Sequence, residues 1–147
     1  MRYFSIFIFS LLIATAARGQ NTARIIDWKL LGKVTFKDTY NKQLEAWYLI
    51  PQFDEKIKSL EGKQVIIKGY IIPLDAAGNY YALSAYPFSA CFFCGGAGPE
   101  SVMQLHFENP PKRYKTDEVI QLSGILALNK DGLEDFTYIL NQAKPLK

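Results

Sequence analysis

The chain has 147 residues, 49% of them hydrophobic and 14% aromatic, with 17 Lys and Arg set against 14 Asp and Glu. That is enough apolar material for one packed domain, and too even a charge for a protein that grips nucleic acid by counterion release. With His106 as the one histidine and no glycine motif leading into a helix, a Ser-His-acid hydrolase and a phosphate-binding loop are excluded as well.

Arg2, the apolar run from Tyr3 to Ala17 and the small residues of Ala17-Arg18-Gly19 have the pattern of an export signal cut near Gly19/Gln20. The run is short for a membrane span of about 20 residues. The expectation is therefore a periplasmic or secreted protein with no stable span after cleavage. Removing residues 1–19 takes away Arg2 and Arg18 and no acid, so the formal charge falls from +3 to 3 − 2 = +1. Residues 20–27 read as a lead-in and 28–147 as a single domain.

Residues 33–37 and 44–50 alternate in the strand manner, with Leu44, Ala46, Tyr48 and Ile50 opposed to Glu45, Trp47 and Leu49. This predicts an N-terminal β-hairpin. Pro51 is read as closing it and starting a short helix over about 52–61, with Phe53, Ile57 and Leu60 on the buried face and Gly62 as C-cap. Two similar units follow. One runs through Val65–Pro73 with Gly69 at its centre, turns over 75–79 and returns through 80–84; the other runs through Val119–Leu128 with Gly124 at its centre, turns over 129–132 and returns through 136–140. A glycine inside a strand marks a bulge or a close backbone approach.

Between them lies a strand over 101–107, on which Met103, Leu105 and Phe107 share one face and Gln104 and His106 the other, then a polar connection through Pro110 and Pro111 to Glu118. Asp117, Glu118, Glu134 and Asp135 read as loop acids. The whole predicts a mainly β fold: a small OB-like coiled antiparallel barrel with one short helix and an extra N-terminal hairpin. An open β-sandwich is the competing architecture.

The chemistry is concentrated in the segment from Ser89 to Ser101, which holds both cysteines and three of the ten glycines. Cys91 and Cys94 can close a disulfide, hold a soft metal or exchange electrons. As a staple, so small a ring sits at the low end of the roughly 2 to 4 kcal/mol typical of disulfides. Cys-x-x-Cys-Gly is half of a zinc knuckle, and His106 or Glu100 would have to complete it, or a second copy of the chain with two more thiolates. Redox work is weakened because Gly95, Gly96, Gly98 and Pro99 leave no helix after Cys94. Phe92 and Phe93 cannot both turn inward from a tight bend, so one ring, with Tyr86 and Phe88, is expected to form a docking surface.

At Pro73-Leu74, at Ala82-Leu83-Ser84-Ala85-Tyr86-Pro87 and above all at Ser89-Ala90-Cys91-Phe92-Phe93-Cys94-Gly95-Gly96-Ala97-Gly98-Pro99-Glu100-Ser101, the chain resembles an uncharacterised family of exported bacterial domains. The resemblance covers about Trp28 to Ala143, and implies an OB-like exported domain with no established activity. The reading adopted is a non-enzymatic barrel whose loop binds zinc or copper(I) through Cys91, Cys94 and His106, in support of metal handling at the envelope. Phe92, Phe93, Gly95, Gly96 and Glu100 are its interaction residues toward a protein partner there. A disulfide-shaped interaction module and, as the only enzymatic alternative, a thiol–disulfide redox protein stand beside it.

Overall fold

The computed structural model describes residues 22–75, 80–109, 113–132 and 136–146. The segment 1–19 expected to be an export signal, the first residues of the lead-in, most of the 75–79 turn, Pro110 and Pro111, and the acids Glu134 and Asp135 lie outside them.

From Arg24 the lead-in already belongs to the sheet: β1 (Arg24–Ile25) lies parallel to Val65 and Ile66, and Ile26 behind it is buried. Helix α1 (Trp28–Leu31) follows, started by Asp27, whose side chain accepts from the Leu30 N–H at 2.8 Å. The expected hairpin forms from β2 (Thr35–Asn41) and β3 (Ala46–Gln52). Pro51 does not start the helix. It sits inside β3 opposite Phe36, and Asp54 instead caps the shorter α2 (Glu55–Lys58) by accepting from the Ile57 N–H at 2.8 Å. Two short helices thus stand where one was expected. Gly62 does take the left-handed conformation, with φ 71°, and its N–H donates to Leu126 O at 2.8 Å.

Five strands then close on themselves: β4 (Gln64–Pro73), β5 (Tyr81–Ser84), β6 (Val102–Phe107), β7 (Val119–Leu128) and β8 (Tyr138–Pro145), in the order β4-β5-β6-β8-β7 and back to β4. This is an OB-like barrel. It is antiparallel except between β6 and β8. A ring of five strands cannot alternate direction all the way round, so one parallel pair is unavoidable.

Both central glycines sit where backbones crowd. A Cβ on Gly69 would stand 2.6 Å from Ser84 O, where β4 passes from β7 to β5, and one on Gly124 would stand 2.7 Å from Asn141 O, where the β7–β8 register slips.

The core holds Ile67, Ile71, Leu83, Met103, Leu122, Leu126 and Leu140, joined by Leu31 from α1 and by Ile57 and Leu60 from the α2 segment. Tyr138, also fully buried, donates its hydroxyl to Leu31 O at 2.6 Å and so ties α1 to β8. Burial raises its pKa, with the carboxylates of Glu100 and Asp54 adding to the effect. Among the described residues, no helix is long and apolar enough to cross a membrane.

Candidate functional site

The segment 85–101 joins β5 to β6 as a chain of three 3₁₀ turns, Phe88–Ala90, Phe92–Cys94 and Pro99–Ser101. Its base is closed by the Ala85 N–H donating to Ser101 O at 2.9 Å, and its first turn is anchored by the Phe88 N–H donating to the Asp117 carboxylate at 2.7 Å. The middle winds around one carbonyl: Cys91 O accepts from the N–H groups of Cys94 at 3.2 Å and of Gly96 at 3.1 Å. Gly95 turns the chain with φ 74°, and Gly96 presses so close to the preceding turn that a Cβ would lie 2.6 Å from Ala90 O. Glycine is required at both places for different reasons, conformation at the first and contact at the second.

This winding separates the two thiols. Cys91 is fully buried in a small cluster with Ile72 and Ala82, backed by Leu74 and Phe136, and its thiol donates to Phe88 O at 3.1 Å. Cys94 is exposed, and both thiols are free. The metal reading needs both sulfurs available to one ion; Cys94 is placed so and Cys91 is not. The loop covers the outside of the barrel here: β5 is buried at all four positions, Ala82 and Ser84 on the face away from Tyr81 and Leu83.

The donors proposed for a metal do not converge. His106 is exposed near the far end of β6, five residues from Ser101, or about 16 Å along a strand. Its Nδ1 shares a hydrogen bond of 2.8 Å with Asn141 Oδ1. The N–H groups that a zinc knuckle turns toward sulfur are spent here on the carbonyls of Cys91 and Phe92. Among the described residues no three His, Cys, Asp or Glu side chains gather where an ion could be held. Cys91, Cys94 and His106 thus do not fit zinc or copper(I) as a closed site. Glu100 is half-buried in the third turn, its carboxylate folded back over Gly98, and it borders a hollow shared with Trp28 and Tyr86.

Phe92 and Phe93 stay 40% and 39% exposed, their rings 5.7 Å apart and Phe93 edge-on to Phe136 at 5.9 Å. They form one wall of an open groove of about 480 Å³. The other wall is the hairpin, with Phe36, Trp47 and Leu49; Val102, Phe136 and Thr137 line it as well. Trp47 is 69% exposed and Leu49 50%. Gly132, in the β7–β8 turn, holds the hairpin in place: with φ 65° and room for no Cβ, it lies directly against Leu49 O. No charged side chain lines the groove among the described residues. Tyr86 and Phe88 are exposed too, but neither lines this groove.

No family model matches the chain, and none of the curated proteins matches it. Among solved structures it is similar to a DUF3299 family protein, a domain of unknown function, from Pseudomonas aeruginosa PAO1. The two are 15% identical with a TM-score of 0.51, over 85% of this chain and 97% of that one. At that identity the likeness shows the fold alone.

Sequence reasoning found the loop half of the groove and missed the hairpin half. Alternation placed Trp47 and Leu49 together on one face of β3, opposite Tyr48 and Ile50, but alternation does not say which face a second element covers. Gln104 was also placed with His106, away from the core. It does lie on that outer face, opposite Ala82, yet the face is covered, so Gln104 is buried and its Oε1 has no hydrogen-bond partner among the described residues.

Proposed function

We propose that this is an exported β-barrel binding module that takes an extended, apolar segment of another protein between its hairpin and its cysteine loop. The observation that carries the reading is the groove: an open apolar trough with exposed Trp47, Leu49, Phe92 and Phe93 on two facing walls. Aromatic side chains of this kind dominate binding energy when a partner desolvates them. A protein segment is favoured over nucleic acid because stacking on an OB-like barrel goes with a cationic backbone track, and no Lys or Arg lines this trough among the described residues. Among the described residues strand β2 pairs with β3 alone, which leaves its outer edge for a further strand beside the groove. The leader over 1–19 supports an envelope or secreted address. Metal handling by Cys91 and Cys94 has less behind it, since it would need Cys91 turned outward and further donors from a partner or a second copy.

Fluorescein-labelled decapeptides, one of Phe, Leu and Val and one of Ser, Thr and Lys, test this by anisotropy. The apolar peptide binds and the polar one does not, and Trp47→Ala weakens binding by about tenfold or more. Equal binding of both peptides, or an affinity untouched by Trp47→Ala, contradicts the reading.

A further inference from the structure

We infer that Cys94 and Cys91 form a two-thiol exchange site that reduces a disulfide in the segment lying in the groove. The inference rests on the groove reading above and adds a reaction to it.

The two thiols share one turn but not one environment. The Cys94 N–H donates to Cys91 O at 3.2 Å, so the turn is closed between them. Such a turn holds its first and fourth Cα within about 7 Å, which overlaps the range of about 4.4 to 6.8 Å that a disulfide spans. Cys94 is open to solvent. Cys91 is buried behind it with its thiol donating to Phe88 O at 3.1 Å. An incoming disulfide reaches Cys94 first, and Cys91 waits at the distance of an intramolecular second step.

Position relative to the groove gives the pair a substrate. Cys94 directly follows Phe93, so its Cα is about 3.8 Å from that of a residue that walls the trough. Cys94 does not itself line the trough, so the disulfide it meets is one that the docked segment carries at the Phe93 rim, where docking gives the exchange the advantage of a unimolecular reaction.

The reaction balances within the pair and its substrate. Cys94 gives up its proton to solvent, and its thiolate attacks one sulfur of the segment's disulfide. A bond forms from Cys94 to that sulfur, the segment's S–S bond breaks, and the departing sulfur takes a proton. The Cys91 thiol then leaves Phe88 O, turns out of its apolar pocket to where water takes its proton, and attacks the Cys94 sulfur. The Cys91–Cys94 disulfide forms, and the segment's second sulfur leaves and is protonated. One disulfide in the segment becomes two thiols, and two thiols of this chain become one disulfide.

The test mixes the reduced, reductant-free protein with two peptides of equal length, each closed by one disulfide, one flanked by Phe and Leu and the other by Ser and Lys. One peptide disulfide is reduced per protein, about tenfold faster for the apolar peptide. Cys94→Ser is inert, and Cys91→Ser accumulates a mixed disulfide with the peptide mass on Cys94. Limited N-ethylmaleimide on the unmodified protein, where no variant can misfold, labels Cys94 at least about tenfold faster than Cys91. Equal rates on both peptides, peptide mass on Cys91, or equal labelling of the two thiols overturns the inference. Anisotropy on the Cys91→Ser/Cys94→Ser double variant separates the two claims. If it binds the apolar peptide but the unmodified protein exchanges nothing, the exchange fails and the groove stands; if neither protein binds the peptide, the groove reading itself has failed.

Discussion

The barrel and the groove use apolar side chains in opposite ways. Ile71, Leu122 and Leu126 have no exposed surface, whereas Trp47, Leu49, Phe92 and Phe93 leave between 39% and 69% of theirs in water. The first set is aliphatic and the second mostly aromatic, but both are apolar, so hydrophobicity does not separate them. Position does: the first set points into a closed ring of strands, and the second stands on a hairpin and a loop that the ring holds facing each other. Exposed apolar surface gathered this way, with no charged side chain among the described residues that line it, has the character of a binding surface.

The difference can be broken by mutation. Leu126→Ala deletes fully buried volume from the barrel and is expected to cost about 2 to 5 kcal/mol in urea unfolding. Trp47→Ala removes a larger side chain from the groove and should move the same midpoint by no more than about 0.5 kcal/mol. Comparable losses from both would show that the groove is a second core.

A smaller effect sharpens the barrel side. Tyr138→Phe removes the hydroxyl donated to Leu31 O at 2.6 Å, leaves that carbonyl with the Val34 N–H alone at 3.2 Å, and is expected to cost about 0.5 to 1.5 kcal/mol. Because burial raises the Tyr138 pKa, the fold holds the neutral phenol. The stability this contributes is intact below the unfolded phenol's pKa of about 10 and is lost as pH climbs above it. Unfolding followed from pH 8 to 11 should therefore show a steeper loss in the unmodified protein than in Tyr138→Phe. Parallel curves would refute the assignment.

The barrel was legible because its signals are local. Gly69 and Gly124 interrupt β-branched strands, and each marks a backbone crossing that a side chain would block. The helix over 52–61 was legible only in part: α2 starts at the Asp54 cap and ends at Ser59 rather than Gly62, and Pro51, read as its start, belongs to β3. The groove was half legible because its signals are not local. Phe92-Phe93 is conspicuous in the sequence, but its facing wall lies more than forty residues earlier, and what joins them is Gly132 fitting against Leu49 O. Which thiol is buried depends on the side to which the loop lies down, and that is not local either.

The most direct measurement places the probe in the groove itself. Of the two tryptophans, Trp28 donates its indole N–H to Lys68 O beside α1, so Trp28→Phe leaves Trp47 as the only indole. Titrated with the unlabelled apolar decapeptide, this variant should shift its emission to shorter wavelength and saturate at one peptide per protein. An emission that stays that of a water-exposed indole while anisotropy shows the peptide bound would contradict the account, because the segment would then be docking elsewhere.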